Sequence, residues 1–333
     1  MGNRLVVSLA VLTCACFGCG DDDDDGAVAD AAVIDAANQP DAAQAPDAAP
    51  PDAGPLQTDN CPVTYGPTGV SSTFQVAEGT VGFDLNGDGT IDNAIGGTGV
   101  RGVLNGNFNT SLGNGSLRSL AEIRDLGAIG TDDPEIAVVL YGGVDSDDPA
   151  EGSDDFTGDE SYYFAHDWVN SVTCDPRALA AANYTGGVVS AEDESIKFYV
   201  ESFGGFLTIV EPRVSATIEA DTTGYKTAAG TPALMGGAIP TCSLQNGDSG
   251  GFGQNALHAL VQFFDLQPDI DVDGDGPETI QSQSLVIESC TDGDGTVIPG
   301  ETCGCDPRMK DAFSIAFETD IVGATLLGPE PVP

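Results

Sequence analysis

From residue 73 onward, short runs of Val, Ile, Leu, Phe and Tyr alternate with clusters of Gly, Asp, Asn and Pro. Apolar runs of this length, bounded by turn formers, predict strands. They fall at 73–76, 117–123, 136–141, 161–165, 196–200, 206–210, 214–218, 284–287 and 314–317. Within 196–200 strict alternation puts Lys197 and Tyr199 on one face. Two segments keep a helical period instead. Val100, Leu104, Phe108 and Leu112 recur at every fourth position. Gly102 and Gly106 weaken this helix by about 1 kcal/mol each relative to Ala. Leu257, Leu260, Val261 and Phe264 form a second apolar face over 256–264. The pattern predicts a mainly β fold, an antiparallel, jelly-roll-like β-sandwich carrying two short helices.

The first 60 residues follow neither period. Met1 to Arg4 is a short positive stretch, and Leu5 to Ala15 is an apolar run of eleven residues, too short to span a bilayer. Cys16-Phe17-Gly18-Cys19 closes the run, followed by Gly20 and the five aspartates Asp21 to Asp25. A small residue directly before a Cys resembles a bacterial lipobox, with Cys19 as the lipidated residue of the mature chain. The position three before it is Cys16 rather than Leu. Residues 20–60 then repeat Asp-Ala-Ala at Asp30, Asp35, Asp41 and Asp47, interleaved with Pro40, Pro46, Pro50 and Pro51. Such a stretch has little to bury and its charges repel, so it is expected to be an extended, disordered tether reaching roughly 35 Å or more. The expected organisation is a signal and lipidation segment over 1–19, a tether over 20–60 and an extracytoplasmic β-rich domain over 61–333.

The Gly-Cys-Gly-Asp start, the Asp/Ala/Pro tether and the Asp-Gly loops of the domain beyond it resemble surface lipoproteins of myxobacteria and their relatives. The resemblance implies an exported protein anchored to the outer membrane or cell surface by an N-terminal lipid. It implies no particular activity.

Net charge sharpens the picture. The formal charge is −43, from 53 acidic and 10 basic residues. A field of that sign repels nucleic acid and anionic lipid headgroups and attracts divalent cations. For an exported domain the expected partner is something outside the cell, such as a polysaccharide or another surface protein.

The most specific local motif is D-x-N-x-D-G-x-x-D, spanning Asp84 to Asp92. Side chains of Asp84, Asn86 and Asp88 in a tight loop can converge on one point. Gly89 permits the sharp turn, the Thr90 carbonyl adds an oxygen, and Asp92 acts directly or through water. Hard oxygen donors in a flexible loop select Ca²⁺. The motif resembles the calcium loops of EF-hands, dockerins and integrin-like propellers. It departs from the EF-hand at the twelfth position, where Ile95 replaces the bidentate Glu. Affinity is then expected to be modest unless another segment adds a carboxylate. A second copy keeps Asp271, Asp273, Asp275 and Gly276, with Glu278 or Asp269 as candidates to complete its shell. A third, with Asp292, Asp294 and Glu301, has Cys290 where the first ligand should stand. The acidic stretch from Asp145 to Glu160 has no ligand spacing and is expected to be a solvated loop.

Beyond the signal stand Cys61, Cys174, Cys242, Cys290, Cys303 and Cys305, which allow fifteen pairings. A zinc site at Cys290, Cys303 and Cys305 lacks C-x-x-C spacing and a nearby His.

Asn246-Gly247-Asp248-Ser249-Gly250-Gly251-Phe252 contains the GDSGG of chymotrypsin-like nucleophiles. A serine nucleophile needs a base and an orienting acid. The chain has two histidines, His166 and His258, and neither stands in a family setting. The order Ser, Asp, His of the α/β-hydrolases fails because His258 follows Ser249 by nine residues. A turn before the second helix accounts for the motif, and a secreted serine hydrolase using Ser249 and His166 remains the alternative. Carbohydrate binding by surface aromatics such as Tyr162, Tyr163 and Trp168 is a further one, while Trp168 by itself is expected to be a core or rim aromatic. Mass spectrometry of the mature protein should find a diacylglyceryl-modified Cys19 at its N-terminus, and an unmodified N-terminus would contradict the anchor.

Overall fold

A computed structural model of the protein describes residues 61–62, 64–147, 156–193, 195–200, 205–241, 260–261, 264–272, 289–291, 297–299 and 312–331. The chain here is mainly β. In order it forms β1 (Thr68–Ser71), β2 (Gln75–Val76), the helix α1 (Val100–Gly113), β3 (Ser119–Arg124), β4 (Asp133–Asp145) and β5 (Ser161–Phe164). There follow β6 (Ala178–Thr185), β7 (Val188–Glu192), β8 (Ser195–Val200), β9 (Gly205–Ala220), β10 (Tyr225–Thr227) and β11 (Ala233–Pro240). The short pair β12 (Ser289–Thr291) and β13 (Val297–Pro299) precedes β14 (Ala312–Thr319) and β15 (Ile321–Pro329). Among the described residues no helix is long and apolar enough to cross a membrane.

The main sheet runs β2-β14-β11-β9-β7-β6-β4-β3-β1-β15-β5, with β8 and β10 also paired to β9. Its far end closes on itself, because β5 pairs with both β15 and β4. The strands β4, β3, β1, β15 and β5 thus form a ring. All pairs in the ring are antiparallel except β15 with β5, which is parallel and departs from the antiparallel expectation. The segments 206–210 and 214–218 are one strand, β9, whose register with β11 shifts where Pro212 withholds an N–H and Glu211 takes φ 49°.

Register shows how the ring is filled. Val70 pairs Leu120 and Leu120 pairs Tyr141, so they share a face; Thr68, Glu122 and Val139 are likewise aligned. Val70, Leu120, Val139, Tyr141, Tyr162 and Phe164 are each at most 1% exposed, and Tyr141 stacks on Phe164 at 4.9 Å. The opposite face of the same strands is covered by the β9–β10 hairpin, whose Tyr225 hydroxyl donates to the Ala121 carbonyl at 3.1 Å. The first face is therefore the inside of the ring. Between the hairpin layer and the ring lies an apolar cavity of about 50 Å³, with Ala121, Val138 and Leu140 on one side and Val214, Ala216 and Ile218 on the other.

The hairpin can approach because the ring is flat where it lands. Gly69 of β1 and Gly323 of β15 are direct cross-strand partners. A Cβ on Gly323 would stand 1.9 Å from the Thr223 carbonyl oxygen, and one on Gly69 would stand 3.0 Å from the Tyr225 carbonyl oxygen of the hairpin. Asp221 fixes the landing by accepting from Gly323 N at 3.1 Å.

Helix α1 matches its predicted period. Phe108 packs on Phe74 and Phe317, with ring centroids at 5.1 and 6.1 Å. Asn105 Oδ1 accepts from Val76 N at 2.6 Å, and its Nδ2 donates to Val76 O at 3.2 Å, which covers the edge strand β2. Of the second predicted helix, Leu260, Val261 and Phe264 are described and have helical backbone; Leu260 and Val261 are buried. Leu257 lies outside the described residues, as does the predicted strand 284–287.

Gly323→Ala should lower stability by about 3 kcal/mol, since the clash is with backbone that cannot give way locally. Urea unfolding checks this, and an unchanged midpoint would refute the flat landing.

Candidate metal centre

The Asp84–Asp92 loop is closed at its base by a bridge between Phe83 and Asp92, with Asp92 N donating to Phe83 O at 2.8 Å. Gly87 and Gly89 take φ 76° and 86°, left-handed conformations that favour glycine. Residues 86–91 are exposed. Leu85 turns the other way and is 6% exposed in a small satellite core with Val210, Ala238, Ile270 and Ala312. One apolar side chain thus pins a polar loop to the sheet.

Within the loop the Asp and Asn side chains accept from its own amides. Asp84 Oδ2 accepts from Gly89 N at 2.8 Å, Asn86 Oδ1 from Asp88 N at 3.0 Å, and Asp88 Oδ1 from Thr90 N at 2.7 Å. Asp92 Oδ2 accepts from Leu85 N at 2.7 Å and Asn86 N at 3.3 Å. These bonds wind Asp84, Asn86, Asp88 and Asp92 into one turn. They leave the second oxygen of Asp84, Oδ1, buried and without a hydrogen-bond donor. An orphaned carboxylate oxygen costs on the order of 1–3 kcal/mol, more when charged, so it needs a cation or water. Arg213 Nη1 donates to the Asp84 carbonyl at 2.6 Å and brings one positive charge to the base of the loop. Among the described residues no group of three or more His, Cys, Asp or Glu side chains is gathered at metal-holding distances.

The base of the loop is tied to β14. Asn93, 4% exposed, donates Nδ2 to the carbonyls of Ala77, Glu78 and Val81 at 3.3, 3.1 and 2.9 Å. Its Oδ1 accepts from Gly96 N at 3.0 Å and Ala316 N at 3.2 Å. Next to it, Ala94 N donates to Ser314 Oγ at 2.7 Å. Ser314 N donates in turn to Asp269 Oδ1 at 2.8 Å, and Ser314 Oγ donates to Asp269 Oδ2. Burial pushes the Asp269 carboxyl above its ordinary range, the Ser314 hydrogen bonds act against the shift, and the nearby charge of Asp92 adds to it. Asp269, a candidate for the second loop's shell, therefore stands beside the first loop. Ser314 and Asn93 carry no motif, and only the fold makes them part of the site.

Of the second loop, Asp271 is described and exposed, while Asp273, Asp275 and Glu278 lie outside the described residues. So do Asp292, Asp294, Glu301, Cys19, Cys242, Ser249, His258, Cys303 and Cys305. Of the fifteen possible pairings, the described residues contain one disulfide, Cys61–Cys174, which spans 113 residues. Closing a loop of that size is worth about 4.7 kcal/mol in the chain-entropy model.

His166 Nε2 lies 2.7 Å from the Glu330 carbonyl oxygen, in a short 3-10 turn (His166–Trp168). Tyr162 is 0% and Trp168 is 7% exposed, and Tyr163 is half-buried. The reading of Tyr162 and Trp168 as surface aromatics is therefore corrected, and Trp168 is the core aromatic of its other reading. β5 lies between β4 and β15, which puts Tyr162 in the core, and the Trp168 ring fills the space above Gly142. Asp145, expected in a solvated loop, instead ends β4 at 6% exposed, and burial raises its carboxyl pKa.

A buried polar network that no motif announced sits inside the ring. Glu122, 2% exposed, accepts from Gly66 N at 2.9 Å, Arg124 Nε at 3.0 Å and the Tyr141 hydroxyl at 2.9 Å. Arg124 Nη2 donates to the same hydroxyl at 2.6 Å. Burial, then the Glu122 charge, raises the Tyr141 and Tyr65 phenols. Glu122 thus joins the segment before β1 to β3 and β4 through three hydrogen bonds in a buried setting.

No protein-family model, curated protein or solved structure matches the chain.

Asn93→Ala strands several buried backbone groups at once and should cost about 3 kcal/mol. Thermal unfolding tests this, and a melting temperature within a degree of wild type would show that Asn93 does not secure the loop.

Proposed function

We propose that the protein is an exported lipoprotein, anchored through Cys19 at the outer membrane or cell surface. Its β-rich domain serves there as a calcium-stabilised, non-enzymatic binding or structural module. In this reading the β9–β10 layer over the ring is a sandwich-like arrangement, and the partner is an extracellular polysaccharide or another surface protein. The observation that carries the calcium reading is Asp84 Oδ1, a buried carboxylate oxygen with no donor in a loop of hard oxygen groups.

Asp84, Asn86, Asp88, Asp92 and the Thr90 carbonyl would hold the ion, with Asp271, Asp273 and Asp275 forming a second site. The ion would supply a positive charge that offsets the mutual repulsion of the loop's carboxylates. With Ca²⁺ near millimolar and a dissociation constant tenfold to a hundredfold lower, each site would add about 1.4–2.7 kcal/mol. The Cys61–Cys174 disulfide supports an oxidising, extracytoplasmic compartment. The tether and the resemblance to myxobacterial surface lipoproteins support the anchor. The hydrolase alternative draws no support from His166, whose Nε2 is engaged by the Glu330 carbonyl.

Calorimetric titration of the purified protein with Ca²⁺ tests the reading. Wild type should bind, and Asp88→Ala should weaken one class of site by at least about tenfold. Identical isotherms for the two proteins would remove the Asp84–Asp92 loop as a calcium site.

A further inference from the structure

We propose that Ser314 and Asp269 are positioning residues of the Asp84–Asp92 cation loop, and that occupancy of this loop is felt at Asp269–Val272. The inference rests on the calcium reading and goes a step past it.

Two independent connections carry it. One is polar. The residues directly after Asp92 hang on β14: Ala94 N donates to Ser314 Oγ at 2.7 Å, and Asn93 Oδ1 accepts from Ala316 N at 3.2 Å. Ser314 is 0% exposed, and both its N–H and its hydroxyl donate to the Asp269 carboxylate. A fully buried hydroxyl that accepts from one segment and donates to another fixes their separation. The other connection is apolar. Leu85 of the cation loop and Ile270 share the satellite core, and Val272 packs against it. Ile270 and Ala312 exchange backbone hydrogen bonds at 3.1 and 2.9 Å, which locks this segment to the start of β14.

Asp92 joins the two sides. Its Oδ2 clamps Leu85 N and Asn86 N, and the two residues that follow it, Asn93 and Ala94, are held on β14 by Ala316 N and Ser314 Oγ. A cation drawn to Asp84, Asp88 and Asp92 fixes the position of Asp92 and steadies Leu85 in the shared core. Both effects bear on residues 269–272, far along the chain from the loop.

Hydrogen exchange with and without Ca²⁺ tests the link, alongside calcium affinity. In wild type, Ca²⁺ should slow exchange at Leu85–Thr90 and also at Ile270 and Ser314. In Ser314→Ala, the slowing should be confined to the loop, and calcium affinity should fall about fivefold, the equivalent of one lost hydrogen bond. Ser314→Thr, which keeps the hydroxyl, should restore both. Asp269→Asn provides a second variant should Ser314→Ala not fold, with the same expected loss of transmission. Slowing confined to the loop in wild type, or transmission intact in the variants, overturns the link and leaves the calcium reading standing. No calcium-dependent slowing anywhere overturns both.

Discussion

The contact on which the architecture depends is the landing of the β9–β10 turn on a cross-strand glycine pair. Gly69 and Gly323 leave two central strands without side chains at one point, and the Thr223 carbonyl occupies the space a methyl group would take. Close backbone approach of this kind is a use of glycine that no larger residue supports. From it follow the Asp221 bond to Gly323, the Tyr225 bond to Ala121 and the covering of the ring's outer face. The ring's inner face is then free to fill with Tyr141, Tyr162, Phe164 and the Glu122–Arg124 pair. The layer contact and the ring interior are two sides of the same strands.

That constraint also explains which strands were legible. Strands whose central positions are large and β-branched or aromatic, such as 136–141, 161–165, 196–200 and 314–317, stood out in the sequence. β1, β6, β11 and β15 did not, because Gly or Ala interrupts each of them: Gly69 in β1, four alanines in β6, Gly236 and Gly237 in β11, Gly323 and Gly328 in β15. Intrinsic β propensity is low at these residues. The neighbours demand them: a Cβ on Gly236 would stand 2.8 Å from the Phe83 ring. Helix α1 was legible despite Gly102 and Gly106, since both face open space and its apolar positions meet Phe74 and Phe317. Tyr162 was misread as a surface residue because exposure depends on which strands flank β5, and ring closure is a long-range event.

The site divides along the same line. The Asp84–Asp92 motif is local, so its residues and spacing could be read directly. The groups that hold it, Asn93, Ser314 and Asp269, are spread across more than two hundred positions and meet only in the folded chain. Asp269 illustrates the limit. Sequence proximity assigned it to the second loop, while the fold sets it under the first. The loop is thus a surface feature with a buried polar foundation, and its Leu85 anchor shares a core with residues that lead into the second acidic segment.

The central claim is that the Asp84–Asp92 loop takes a calcium ion and that the fold gains stability from it. Thermal unfolding of the protein during a calcium titration, with magnesium as control, tests this most directly. The account predicts a melting temperature that climbs with Ca²⁺ and not with Mg²⁺, and that loses most of the climb in Asp84→Asn. A melting temperature indifferent to Ca²⁺, in protein shown by metal analysis to be calcium-free at the start, would contradict it.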